Sequence, residues 1–137
     1  MSLTHHDLLY FDQRIERLEN RLSTSEKEYA SRVCDAVFDG PIPEATWVSS
    51  DSSIEFKREV KVEHFGSNGV TIFLQSYIKV VACKRFAETL TDRVLFRFDL
   101  EYLGAEDDIE TEDIPPMYWG GNLKDKYQLT IKLEKVW

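Results

Sequence analysis

The chain has 137 residues, of which 42% are hydrophobic, 12% aromatic and 31% charged, with 17 basic against 25 acidic side chains and a net charge of -8. A domain of this size buries roughly two-thirds of the surface its unfolded form exposes, enough for one core over residues 1–137 without metal or disulfide support. Six glycines and four prolines exclude collagen-like and wholly disordered chains, and the acidic balance argues against nucleic acid or anionic membrane as partners, since both require a positive field.

The first apolar positions, Leu8, Phe11, Ile15, Leu18 and Leu22, follow a 3-4 spacing that predicts a helix. Thr4 is the expected N-cap. Ser23 and Glu26 form a capping-box pair, so the helix is expected to break and restart there. Beyond it the stripe widens to Tyr29, Ala30, Val33, Cys34, Val37 and Phe38, broad enough to lie on a sheet, until Asp39-Gly40-Pro41 stops it. With Leu8, Ile15 and Leu22 at heptad position a, a parallel pair of these helices would bring Arg14 towards Glu19 of a second copy. A homodimer through Leu8, Phe11, Ile15, Leu18 and Leu22 is therefore one expectation.

After Pro43 the period changes to two. Ile54, Phe56, Arg58, Val60, Val62 and His64 alternate with Glu55, Lys57, Glu59, Lys61 and Glu63, the pattern of a half-buried strand. Val70, Ile72, Leu74, Ser76, Ile78, Val80 and Ala82 read as a second strand, Val94 to Tyr102 as a third, and Tyr127, Leu129, Ile131 and Leu133, running to Trp137, as a fourth. Because only Lys84 to Thr91 could hold a helix between strands, an antiparallel sheet is expected. An odd loop at Gly66-Ser67-Asn68-Gly69 would set Val62 opposite Ile72, Val60 opposite Leu74 and Arg58 opposite Ser76. The predicted fold is α+β: an N-terminal helix, or broken helix pair, over residues 1–40, packed on a curled antiparallel sheet of four long strands with room for a short fifth. That plan resembles cystatin-like and NTF2-like architecture, without a shared motif.

The unusual segment is a connection over residues 104–126. Glu106, Asp107, Asp108, Glu110, Glu112 and Asp113 put six acids in eight residues, which leaves only -2 for the rest of the chain. Met117, Tyr118 and Trp119 follow, residue types common in binding hot spots. An acidic rim beside aromatic anchors suits a basic protein partner, so the leading expectation is a non-enzymatic interaction module of adaptor, chaperone or immunity type. The alternative is a small-ligand protein or enzyme with a cavity between helix and sheet lined by Arg58, His64, Ser76 and Tyr102.

No G-x-S-x-G, P-loop, G-x-G-x-x-G or H-E-x-x-H pattern occurs, so no catalytic residue, metal or cofactor is assigned. Cys34 and Cys83 lack C-x-x-C spacing and are expected as reduced, buried thiols. No apolar run reaches the ~18 residues of a membrane span, and Met1 to Asp12 lacks a secretory pattern, so a cytoplasmic location is expected.

Overall fold

The computed structural model describes residues 2–3, 8–42, 53–66, 69–89, 94–107 and 123–135. In chain order the elements are β1 (Ser2–Leu3), α1 (Leu8–Glu19), α2 (Thr24–Val37), β2 (Ser53–Glu63), α3 (Ile72–Thr89), β3 (Val94–Asp107) and β4 (Leu123–Lys135). The break between the first two helices lies at the predicted capping box. The Glu26 backbone N–H donates to Ser23 Oγ at 3.2 Å, and the Ser23 N–H donates to Glu26 Oε1 at 3.0 Å. Thr4 lies outside the described residues.

The sheet is antiparallel, in the order β1-β3-β4-β2. It has three long strands and the two-residue β1, not four long strands. Residues 72–89 form a helix, which corrects the reading of Val70 to Ala82 as a strand. The error has a physical cause. Phe73, Tyr77 and Val81 are apolar between the alternating positions, so the segment is hydrophobic on nearly every side and carries no clean period. Such a helix belongs where it has neighbours all round, and α3 packs against α1, α2 and β3. The Leu74 N–H donates to Thr71 Oγ1 at 3.1 Å and closes its first turn.

With α3 in place of a strand, the predicted hairpin across Gly66 to Gly69 does not exist. Instead β2 pairs with β4, so that Arg58 faces Leu129, Val60 faces Tyr127 and Val62 faces Asp125. Since β2 and β3 both run antiparallel to β4, they are parallel to each other, and α3 is the crossover that joins them. The strands also extend further than expected: β3 runs to Asp107 and β4 begins at Leu123, which reduces the connection predicted over 104–126 to residues 108–122. One irregularity marks the far part of β3. The register slips between Tyr102 and Gly104, leaving Leu103 as an extra residue, and Gly104 takes a φ of +101°, a conformation that a side chain would strain.

Helices cover one face of this sheet. Phe96, Phe98 and Leu100 of β3 and Tyr127, Leu129, Ile131 and Leu133 of β4 are buried there against Tyr29, Val33 and Val37 of α2 and Leu74, Ile78 and Phe86 of α3. Phe86 meets the edge of Phe96 with ring centres 5.3 Å apart. Cys34 and Cys83 are both buried and form no disulfide. Burial pushes the Cys34 thiol up to about 12. No helix among the described residues is long and apolar enough to cross a membrane.

Candidate functional site

At one end of the covered face the apolar stripe of β4 stops at a carboxylate. Asp125 continues the inward series Leu133, Ile131, Leu129 and Tyr127, and it is fully buried, the only carboxylate among the buried described residues. A buried charge is costly unless its oxygens are hydrogen-bonded, and here four donors converge. Tyr29 donates its hydroxyl to Oδ2 at 2.5 Å, and the Phe65 backbone N–H reaches the same oxygen at 3.1 Å. Oδ1 lies 2.7 Å from His64 Nδ1 and accepts from the Tyr102 hydroxyl at 3.1 Å. Four donors use the four lone-pair directions of an acceptor-only carboxylate.

Each partner arrives for a local reason. Tyr29 sits on the widened apolar stripe of α2, and the ring of Phe65 packs at 4.9 Å from its ring. Tyr102 and Tyr127 are register partners across β3 and β4, with ring centres 5.2 Å apart. Tyr127 lies 3.0 Å from the Tyr29 hydroxyl; because Tyr29 donates to Asp125, Tyr127 is the donor in that pair. His64 follows the last residue of β2, and its N–H bonds the Leu123 carbonyl at 3.2 Å, which holds the chain end beside β4.

The cluster has a defined electrostatic character. Burial first, then the negative charge of Asp125, pushes the Tyr102 hydroxyl up to about 12. Burial, followed by the hydrogen bond to Asp125, raises Tyr29 further still, and burial is also the largest cause of the rise at Tyr127. All three tyrosines therefore remain protonated donors. With Asp125 accepting, the proton of a neutral His64 ring is on Nδ1, and Nε2 becomes an acceptor that no described residue bonds. The His64 side chain is 25% exposed while Asp125 is at 0%. A buried acid thus orients a partly exposed ring whose second nitrogen bonds no described residue.

Of the pocket residues expected from sequence, His64 and Tyr102 meet at Asp125, but Arg58 and Ser76 do not. Arg58 turns to the end of α2 instead. Its Nη1 donates to the carbonyls of Val37 at 2.8 Å and Asp39 at 2.7 Å, and its Nη2 to Pro41 at 2.6 Å. It is a cation at a helix C-terminus, which satisfies carbonyls left open there. Neither an acid nor a bound anion is needed to explain its inward position. Ser76, on α3, lines a depression with Tyr102, Lys79 and Glu101 beside β3.

The acidic and aromatic residues Asp108, Glu110, Glu112, Asp113, Met117, Tyr118 and Trp119 lie outside the described residues, as does the side chain of Asp107. Glu106 is in β3, where Lys61 at 3.1 Å and Lys126 at 3.8 Å already balance its charge. Of the stripe expected to pair two copies, Phe11 on α1 and Leu22, beyond the end of that helix, are buried in the chain's own core, and Ile15 and Leu18 pack against it. The Leu8 side chain lies outside the described ones. No group of three or more His, Cys, Asp or Glu side chains among the described residues could hold a metal ion.

No family model matches the chain, and no curated protein and no solved structure matches it either.

Asp125, Tyr29 and Tyr127 were missing from the residues expected to carry function. The signal was present: running the alternation of β4 two positions back from Tyr127 puts an acid on the inward face.

Proposed function

We propose that the chain acts on a small molecule by acid–base chemistry at His64, with Asp125 as its positioning residue. The observation that carries this reading is the contrast in accessibility along one hydrogen bond. A fully buried carboxylate is held by three other donors, while the histidine it orients is a quarter exposed and bonds no described residue through Nε2. Nε2 would accept a proton from a bound solute, and the imidazolium so formed would be stabilised by Asp125 at 2.7 Å. Tyr29, Tyr102 and the Phe65 N–H fix the carboxylate, so that little reorganisation accompanies the transfer.

The test is the state of the His64 ring. Nitrogen-15 spectra of the labelled protein are expected to show a proton on Nδ1 and none on Nε2 at neutral to alkaline pH, with Asp125→Asn removing that preference. Small weak acids and carbonyl compounds should shift the His64 resonances at millimolar concentration. A proton found on Nε2, or His64 resonances indifferent to every such compound, overturns the reading.

A second reading rests on the six acids of residues 106–113 in a chain whose remaining charge is -2. It takes residues 106–119 as a contact for a basic protein, non-enzymatic in role. Neutralising Asp107 and Asp108 should then slow association with that partner and flatten its salt dependence, and Trp119→Ala should raise the off-rate. Association that is insensitive to all three changes excludes it.

A further inference from the structure

Between α1, α3 and β3 lies a cavity of about 280 Å³. Its floor is made by Phe11, Val80, Cys83 and Phe98, side chains that are 3% to 6% exposed and belong to the main core. Its mouth is polar, with the Arg14 guanidinium, the Ser76 hydroxyl and the Lys79 ammonium. A closed core does not leave a hollow of this size, because lost packing around a void is destabilising.

The charge at the mouth is specific. Lys79 is already engaged by Asp99 at 2.8 Å. Arg14 lies over the ring of Tyr10 at 5.8 Å, and no acid among the described residues pairs with it. Among the described residues the lining contains no aspartate or glutamate, in a chain whose net charge is -8. An apolar floor beneath one uncommitted guanidinium is complementary to a solute with a hydrocarbon body and a single anionic head.

We infer that this cavity binds an amphipathic monocarboxylate, its apolar body against Phe11, Val80 and Phe98 and its carboxylate on Arg14, with the Ser76 hydroxyl as second donor. The site shares no residue with the His64 and Asp125 cluster, so the inference stands independently of the function proposed above. Three probes of equal length separate the head group from the tail. By calorimetric titration of the full chain, octanoate should bind with one site, 1-octanol at least tenfold more weakly, and octylamine not measurably. Arg14→Gln should weaken octanoate by roughly tenfold while leaving 1-octanol unchanged, because only the charge-assisted bonds are removed. Lys79→Gln should change octanoate binding by less than threefold, since Asp99 already holds that ammonium. Ser76→Trp, which fills the mouth, should abolish binding of both ligands; Arg14→Gln, at a half-buried position outside the core, decides the matter should the tryptophan variant not fold. The inference is overturned by absence of octanoate binding, by octylamine binding as tightly, or by an Arg14→Gln protein that binds octanoate as before. Loss of binding in His64→Gln would move the ligand to the tyrosine cluster and overturn it as well.

Discussion

The two ends of the inward stripe of β4 are equally dry and chemically opposite. At one end Leu129, Ile131 and Leu133 are at 0% exposure among Phe96, Phe98 and Phe86. At the other, Asp125 at 0% and Tyr127 at 1% are joined to Tyr29, Tyr102 and His64 by hydrogen bonds. The apolar end is held by many weak contacts, so loss of one leaves the others in place. The polar end is held by few strong bonds in which four donors depend on one carboxylate, and removing that group leaves them unpaired at once. A sheet face can therefore have uniform burial and still concentrate its vulnerability, and its chemistry, at one end.

Alkaline pH should expose this difference most strongly. Tyr102 is raised from 10.0 to about 12 in the fold, with Tyr29 and Tyr127 raised beyond it, and Cys34 moves from 9.0 to about 12. Each folded value lies above its unfolded one, so the unfolded chain loses protons first as pH rises. The stability from these groups is complete below about pH 9 and is lost progressively towards pH 12, which denaturant titrations at fixed pH values will follow. Cys34→Ala separates the contributions. Tyr77 on α3, raised by burial and by its hydrogen bond to Glu19, acts over the same range. A loss beginning near pH 10 that persists in Cys34→Ala combined with Tyr77→Phe therefore belongs to the Asp125 end; if it disappears, the polar end is not the sensitive one.

Substitution at neutral pH should rank the two ends next. Asp125→Ala is expected to cost about 4 kcal/mol, because it leaves the hydroxyls of Tyr29 and Tyr102, the Phe65 N–H and the His64 ring without their acceptor. Ile131→Ala should cost about 3 kcal/mol, the range for a truncated core aliphatic, and Ile131→Val only about 1 kcal/mol. Chemical denaturation of the three proteins tests the ordering. An Asp125→Ala protein no less stable than Ile131→Val would mean that the carboxylate is not the centre of the cluster.

Much of this contrast was legible in the residues, and the part that was not has a physical reason. The helices over residues 8–37 and their break at Ser23 follow from period and capping, which are local properties. The charged outer face of β2 is equally local. The error over residues 70–82 came from a helix surrounded by neighbours, whose hydrophobicity carries tertiary information that no periodicity encodes. Because that helix replaced a strand, Arg58 lost its expected partner Ser76 and found the carbonyls of Val37, Asp39 and Pro41, an arrangement that depends on chain segments about 20 residues apart. The polar end was harder again. Its bonds join Tyr29, His64, Tyr102 and Asp125 across separations of up to 96 residues, so two members could be suspected one by one but not seen as a group.

The smallest expected effect concerns the cluster's order of dependence. Tyr29→Phe keeps the ring against Phe65 and removes only the hydroxyl. Asp125 Oδ2 then retains the Phe65 N–H, while the Tyr127 hydroxyl loses its acceptor on Tyr29. A charge-assisted bond and a neutral one are lost together, so about 2 kcal/mol of stability should disappear. His64 bonds the other oxygen, Oδ1, and its protonated nitrogen should remain Nδ1 in nitrogen-15 spectra. That combination, weaker folding with an unchanged imidazole, would separate what Tyr29 does for stability from what Asp125 does for His64. A change in the ring's protonated nitrogen on loss of the Tyr29 hydroxyl would instead make the two oxygens of Asp125 a single coupled unit.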